Sequence, residues 1–193
     1  MALPWILLAA ATALALEYRA QRKQLLQQRY RGNTQSDSIG IEPSEWWPGT
    51  IPVTPQPGAV VVCFVYGVVE HSGLWLGDDT IAELHGSGLV RGVSAKRFLA
   101  GRSGATIFVG CDKQHQPLHK ADAVNAAAQQ LLSYRDYHLR HNNCHRFVWQ
   151  CLSGEDARIV NFAELNRQLS QLFRSPIYWD PINRAAAPSL AGS

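Results

Sequence analysis

Short apolar segments in the middle of the chain follow the pattern of β-strands. Residues 59–66 are continuously apolar and rich in valine, which is typical of a strand buried on both faces. Residues 71–77 and 81–85 are also strand-like, and the pair of aspartates between them predicts a hairpin turn. Residues 106–109 predict a further strand. Together these segments predict an antiparallel sheet.

Two helices are predicted farther along the chain. Residues 120–132 are rich in alanine and glutamine, with Ala123 and Ala127 on a modest apolar stripe. The second helix begins near Cys144, directly after two asparagines, which are favourable helix-capping residues. It ends at Gly154, because glycine suits a helix C-cap. The predicted fold class is therefore α+β, with the sheet packed against the helix that carries Cys144.

The N-terminal segment has a different pattern. Between residues 2 and 16 the one polar side chain is Thr12, and a group of arginines and a lysine follows. This apolar run is slightly shorter than the roughly 17–25 residues of a spanning helix, but Tyr18 and the arginine stems extend it. We predict a membrane anchor at residues 1–23. A cleaved signal peptide and a buried core helix are the alternatives.

The charge pattern around the anchor predicts its orientation, and composition divides the rest of the chain. Basic residues follow the apolar run and none precedes it, so the positive-inside rule predicts a single-pass protein with its domain in the cytoplasm. A tether is predicted at residues 24–54, a catalytic domain at residues 55–180 and a flexible tail at residues 181–193. Within the tether, Trp46 and Trp47 are expected to cap the core or to lie at the membrane interface.

Composition and charge exclude some classes of function. The chain has 193 residues, of which 46% are hydrophobic and 17% charged, as in an ordinary globular protein. The net charge of +3 is small and the basic residues are dispersed, so no nucleic-acid partner is expected. The spacing of the four cysteines does not suggest a disulfide framework, and we expect them to be reduced.

Cys144 has the sequence setting of a nucleophile. Cysteine reacts as the thiolate, which requires a lowered pKa. In the first turn of a capped helix, the backbone dipole stabilises negative charge, and the N–H of Cys144 is free to help hold an oxyanion. The other cysteines lack this setting, because Cys63 and Cys151 are predicted in the core and Cys111 in a loop without a partner.

The base for Cys144 must come from another part of the fold. His71 opens an apolar strand, where a histidine is usually structural. However, residues 71–78 resemble the His-x-Gly-Ile-Tyr-Leu-Gly-Asp strand and turn of the lecithin:retinol acyltransferase (LRAT) family. Residues 57–61 resemble the family's Pro-Gly-Asp-Val-Ile entry strand, and residues 137–147 resemble its Tyr-x-Leu … Asn-Asn-Cys-Glu-His-Phe segment.

This resemblance covers roughly residues 55–155, with the motifs in the same order. It implies a circularly permuted papain-like α+β domain, in which the histidine hairpin comes first and the cysteine helix last. It also implies that Cys144 is the nucleophile and His71 the base, without a cofactor. The chain departs from the family after the cysteine, where His145 and Arg146 replace Glu-His, and no role is carried over to this pair.

A zinc site is the other interpretation of this region. His138, His141, Cys144 and His145 are close in sequence and are ligand types that zinc prefers. However, the paired asparagines interrupt any single helical face, and the sequence has no second ligand pair with finger-like spacing. We therefore expect no metal.

A third polar group is expected to orient His71, and the candidates are Glu83 and His85. A two-residue loop in the hairpin pairs Leu74 with Glu83 and turns both candidates away from His71, so a three-residue loop or a bulge is required. In the resembling family the third residue usually lies twelve positions after the histidine, which corresponds to Glu83. His85 has the residue type more familiar from animal members. We favour Glu83.

These features predict a membrane-anchored cysteine enzyme that handles acyl groups. Cys144 attacks an ester or thioester carbonyl of a lipid, and His71 takes the thiol proton. Water as the acceptor gives a phospholipase or thioesterase, and an alcohol or amine gives an acyltransferase. The alternatives are a permuted papain-like amidase or peptidase, and a non-catalytic membrane-tethered interaction module. The oligomeric state and the particular acyl donor and acceptor stay open.

Overall fold

A computed structural model describes residues 51–65, 69–102 and 104–183. The predicted anchor, most of the tether with Trp46 and Trp47, and the end of the tail lie outside the described residues. Within the described part of the chain, no helix has both the length and the apolar character needed to cross a membrane.

Six strands in the described residues form one antiparallel sheet. In chain order they are β1 (Val60–Val65), β2 (Val69–Gly77), β3 (Thr80–Leu84), β4 (Val90–Ser94), β5 (Phe108–Cys111) and β6 (Tyr178–Pro181). Their order across the sheet is β4-β3-β2-β1-β5-β6. The prediction of an α+β fold with an antiparallel sheet is confirmed, although the sequence pattern did not identify β4 and β6.

Four helices accompany the sheet in the described residues. They are α1 (Ala95–Leu99), α2 (Asp122–Ala128), α3 (Cys144–Ser153) and α4 (Phe162–Phe173). As predicted, α3 begins at Cys144 and is followed by Gly154 in the left-handed conformation, with a φ of 76°. The predicted helix around α2 is shorter than expected, because Leu132 instead donates its N–H to Val90 of β4 at 2.8 Å.

Both faces of the sheet are covered, which explains why β1 is a continuous apolar run rather than an alternating one. On one face, β-strand residues such as Val62 and Leu74 pack with Phe147 of α3 and with residues of α2 and α4. On the other face, Cys63 and its neighbours pack around Phe98 of α1. The predicted packing of the sheet against the helix that carries Cys144 is therefore present on the first face.

The turn between β2 and β3 has two residues, Asp78 and Asp79. Both adopt positive φ angles, 47° and 57°, as required at the two central positions of a type I′ hairpin turn. Gly77 and Thr80 form the pair that closes the turn. A two-residue loop by itself would direct Glu83 away from His71.

A β-bulge in β2 changes the register beyond this turn. The next pair is Trp75 with Ile81, so that one extra residue of β2 is accommodated. Continuing this register places Glu83 opposite Gly73, on the face that also carries His71. A bulge was one of the two conditions under which Glu83 shares a face with His71.

The position predicted for Cys111 is wrong. Cys111 is the last residue of β5, is fully buried and pairs with Tyr178 of β6, rather than lying in a loop. The partner strand is distant in sequence, so no local pattern indicates that this cysteine is covered. Cys63 and Cys151 are buried, as predicted, and all four cysteines are free.

The sheet extends into the segment predicted as a tail. Pro181 belongs to β6. Ile182 donates its N–H to the carbonyl of Ile107 at 2.9 Å, and Asn183 donates to the carbonyl of Val53 at 2.6 Å. Backbone pairing therefore continues to the end of the described residues.

Candidate active site

Cys144 is held at the N-terminus of α3 by the asparagine that precedes it. The side-chain oxygen of Asn143 accepts the backbone N–H of Arg146 at 2.9 Å and caps the helix. Its amide nitrogen donates to the carbonyls of Leu139 and Ile159 at 2.8 and 2.9 Å. Asn143 thus ties the start of the helix to the loops on both sides of it. The buried thiol of Cys144 lies at the positive end of the helix dipole.

His71 on β2 is bonded to Glu83 on β3. The distance between Nε2 of His71 and Oε2 of Glu83 is 2.6 Å. Glu83 is fully buried, and a buried carboxylate must be compensated by hydrogen bonds or opposite charge. Arg91 and Arg102 supply this compensation, with guanidinium nitrogens 2.8 and 2.7 Å from its two oxygens.

These contacts keep Glu83 ionised. Burial alone would raise the pKa of Glu83, but the hydrogen bond and charge of His71, the charge of Arg102 and the hydrogen bond of Arg91 lower it to about 2. The site therefore contains a permanent carboxylate beside His71. A carboxylate at this distance fixes the proton on Nε2 and stabilises the charged imidazolium.

The pKa values of Cys144 and His71 move in opposite directions. Burial would raise the pKa of Cys144, but the charges of His145 and His71, with hydrogen bonds from both, bring it well below its ordinary value. Burial would lower the pKa of His71, but Cys144 and then Glu83 raise it. Because Nε2 of His71 is bonded to Glu83, Nδ1 is the ring nitrogen available to the thiol. The arrangement favours a thiolate–imidazolium pair.

His85 is separate from this pair. Its Nδ1 lies 2.8 Å from Oγ of Ser87, and the backbone N–H of Ser87 points to the same nitrogen at 3.2 Å. Burial and the charge of Arg91 lower the pKa of His85. Of the two residues proposed to orient His71, the fold brings Glu83 to it and leaves His85 bonded elsewhere.

Phe98 of α1 covers the His71 ring, with their centroids 5.2 Å apart. Gly73 leaves room for this contact, since a Cβ there would lie 3.0 Å from a ring carbon of Phe98. The guanidinium of Arg102 lies over the same aromatic ring, 4.9 Å from its centroid, and also donates to Glu83. The segment around α1 therefore both shields His71 and supplies a counter-charge to Glu83.

Sequence reasoning missed the two arginines of the site. Arg91 lies directly opposite Glu83 in the β3–β4 ladder. The signal for that strand was its two β-branched residues, Val90 and Val93, which are buried on opposite faces. Arg102 reaches Glu83 from the chain beyond α1, and no local spacing indicates this contact.

The two residues after Cys144, to which no role was assigned, point in different directions. Arg146 donates through Nε to Asp156 at 2.9 Å and is directed away from the site. The buried His145 is directed into it. Nδ1 of His145 lies 3.9 Å from Sγ of Cys144 and 2.9 Å from Oγ of Ser72. Sequence reasoning did not assign His145 or Ser72 to the site.

Cys144 also differs from the other cysteines in its ionisation. Burial, as the first cause, raises the pKa of each of the other three to about 12. These are Cys63, Cys111 and Cys151, and all four cysteines lie in the described part of the chain. Among them, Cys144 alone has a lowered pKa, so it is the thiol best prepared to react as a nucleophile.

The four residues considered as zinc ligands do not converge. His138 and His141 are exposed, and their rings stack on each other with a centroid distance of 4.6 Å. Cys144 and His145 are buried at the start of α3. Across the residues that the structure describes, no three His, Cys, Asp or Glu side chains form a group suited to a metal ion.

The fold and the site together define an α+β protein with a buried row of thiol, imidazole and carboxylate. Such a row has the elements of nucleophilic catalysis: a nucleophile, a base and a group that orients the base. Comparison with protein-family models and with curated proteins found no match for this chain.

Proposed function

We propose that this protein is a cysteine-dependent acyl-handling enzyme with a circularly permuted papain-like, LRAT-like arrangement of its catalytic residues. Cys144 is the nucleophile, His71 is the base and Glu83 orients His71. The observation that carries the proposal is the bonded pair of His71 and fully buried Glu83 beside a thiol whose pKa is lowered. An ordinary structural histidine does not need a buried carboxylate with two arginines behind it.

The proposed reaction has two halves. Nδ1 of His71 takes the thiol proton, and Sγ of Cys144 attacks the carbonyl carbon of the acyl donor. The C–O bond to the leaving group breaks, and His71 returns the proton to the departing oxygen. A thioester remains on Cys144. His71 then takes a proton from the acceptor, whose oxygen or nitrogen attacks the thioester, and the proton passes to the released sulfur.

The surrounding groups assist both halves. Glu83 keeps the proton of neutral His71 on Nε2, so that Nδ1 has its lone pair toward the thiol, and it stabilises the imidazolium that follows. The backbone N–H of Cys144, at the helix N-terminus, supports the negative charge on the carbonyl oxygen of each tetrahedral intermediate.

The proposed acyl donor is a lipid ester, and the proposed location is a membrane surface. Support comes from the motifs at residues 57–61, 71–78 and 137–147 that resemble the LRAT family, and from the apolar run at residues 2–16. In this proposal residues 1–23 hold the domain at the cytoplasmic face of the bilayer. A domain held there meets acyl-glycerophospholipids at high local concentration.

Intact-mass analysis of the full chain after incubation with acyl-glycerophospholipid vesicles tests the proposal. We expect a mass increase of one acyl group that disappears in Cys144→Ala and persists in Cys151→Ala, the matched control on the same helix. An adduct that survives in Cys144→Ala contradicts the proposed nucleophile. An adduct that forms from peptide or amide donors but not from phospholipid identifies the protein as the amidase or peptidase instead.

A further inference from the structure

The thiol of Cys144 has two imidazole neighbours, of which only His71 takes part in the proposed reaction. His145 is 6% exposed, and its Nδ1 lies 3.9 Å from Sγ of Cys144. The same nitrogen lies 2.9 Å from Oγ of Ser72, which is fully buried. The His145 ring also packs on Phe162 of α4, with a centroid distance of 5.7 Å. Its position is therefore restrained on several sides.

One imidazole, that of His71, belongs to β2 itself. The other, that of His145, is bonded by the next residue of the same strand. His71 and Ser72 follow each other on β2 and project to opposite faces of the sheet. His71 lies on the face with Phe98, where Glu83 holds it. Ser72 instead bonds His145 of α3. The strand thus supports two separate histidines, each of which interacts with the thiol.

We propose that His145 is a second catalytic imidazole, whose Nδ1 shares the thiol proton of Cys144 with His71, and that Ser72 is its positioning residue. The inference rests on the proposed nucleophile, Cys144, but not on the proposed lipid substrate.

The thiol proton has two possible positions. When His71 holds it, Nδ1 of His145 carries a lone pair and accepts the hydroxyl hydrogen of Ser72. When His145 instead takes the proton of the neutral thiol, the S–H bond breaks, an N–H bond forms at Nδ1 of His145, and His71 stays neutral. The hydroxyl of Ser72 then rotates and accepts from that N–H, since a serine hydroxyl can act in either role. Both states contain one thiolate and one imidazolium.

Four ionisable groups interact with the thiol. They are Cys63 on β1, His71 on β2, Tyr137 in the loop before α3 and His145 on α3, while Arg102 acts on His71, Cys63 and Tyr137. Cys63 and Tyr137 have pKa values raised to about 12, in each case first by burial, so they stay neutral near pH 7. The two histidines are therefore the neighbours able to exchange a proton with the thiol.

The test is the pH dependence of alkylation of Cys144 by iodoacetamide, measured by peptide mass spectrometry on the folded full chain. His71→Gln keeps a polar atom near Nε2, and His145→Asn keeps one near Nδ1, but neither replacement titrates. We expect each variant to raise the apparent thiol pKa only part of the way to the value of the double variant. The double variant should exceed the ordinary thiol value of 9.0, because burial then raises the pKa unopposed, as it does in Cys63, Cys111 and Cys151. Ser72→Ala should raise it less than His145→Asn does.

His119→Gln, which changes an exposed histidine outside the site, is the control and should leave the alkylation curve unchanged. If His145→Asn has the wild-type curve and His71→Gln alone has the curve of the double variant, the inference is overturned. Circular dichroism establishes that each variant is folded, and His145→Gln replaces His145→Asn if the latter does not fold.

The outcome is independent of the substrate. A shifted curve without any acyl adduct supports the second imidazole and rejects the lipid function. An acyl adduct with an unshifted curve supports the lipid function and rejects the second imidazole.

Discussion

Replacing Glu83 with glutamine should destabilise the protein mainly through charge. The side chain keeps its shape, but Arg91 and Arg102 lose a fully buried counter-ion while they remain only 23% and 11% exposed. The pKa of Glu83 falls from its ordinary 4.5 to about 2, which corresponds to about 3 kcal/mol of stabilisation of the ionised form. Removing one partner of a buried ion pair typically costs about 3–5 kcal/mol, a compatible figure.

The pH dependence separates charge from packing. Because the pKa of Glu83 is lower in the folded than in the unfolded chain, its contribution is complete above about pH 4.5 and is lost as the pH falls toward about 2. Urea unfolding of wild type and Glu83→Gln should therefore differ by about 3 kcal/mol at pH 7, and by much less near pH 2.5.

The exposed Glu155 provides the control, and Glu155→Gln should stay within about 0.5 kcal/mol of wild type. An equal difference between wild type and Glu83→Gln at both pH values would show that lost packing, not lost charge, destabilises the variant. A difference below about 1 kcal/mol at pH 7 would refute a stabilising role for the carboxylate.

The remaining predictions concern activity and location. Glu83→Gln should lower kcat by about 100-fold or more, whereas His85→Gln should change it less than about threefold; a larger loss in His85→Gln contradicts the assignment of Glu83. The pH–rate profile should be bell-shaped and include neutral pH, because the pKa of Cys144 is lowered from 9.0 and that of His71 is raised from 6.5; activity that appears only above pH 9 would exclude the thiolate–imidazolium pair. Protease added outside intact cells should leave the domain whole, and its digestion would refute the cytoplasmic orientation.

Local sequence determined the start and end of the cysteine helix. The capping preference of Asn143 acts on N–H groups within one turn, and Gly154 adopts the left-handed conformation at no steric cost. Both effects depend on residues only a few positions apart, so they are readable without the fold. The same holds for β1, whose unbroken apolar run indicated burial on both faces.

The family resemblance supplied information that no local pattern contains. It associated His71 with Cys144, which lie in separate elements, and it pointed to Glu83 twelve positions after the histidine. Periodicity alone left Glu83 and His85 equivalent, because both lie on one face of the same strand. The sequence showed that a bulge or a three-residue loop was needed, but it could not determine which one formed.

The tertiary structure decided the rest, because the deciding contacts join residues that are distant in sequence. The bulge in β2 is a matter of pairing with β3, and it turns Glu83 toward His71. Arg102 reaches Glu83 across nineteen positions, and Ser72 meets His145 across seventy-three. Such pairs depend on how the sheet, α1 and α3 pack together. The residue types of the proposed nucleophile and base were therefore visible in the chain, whereas the charges that surround them became visible only once the chain was folded.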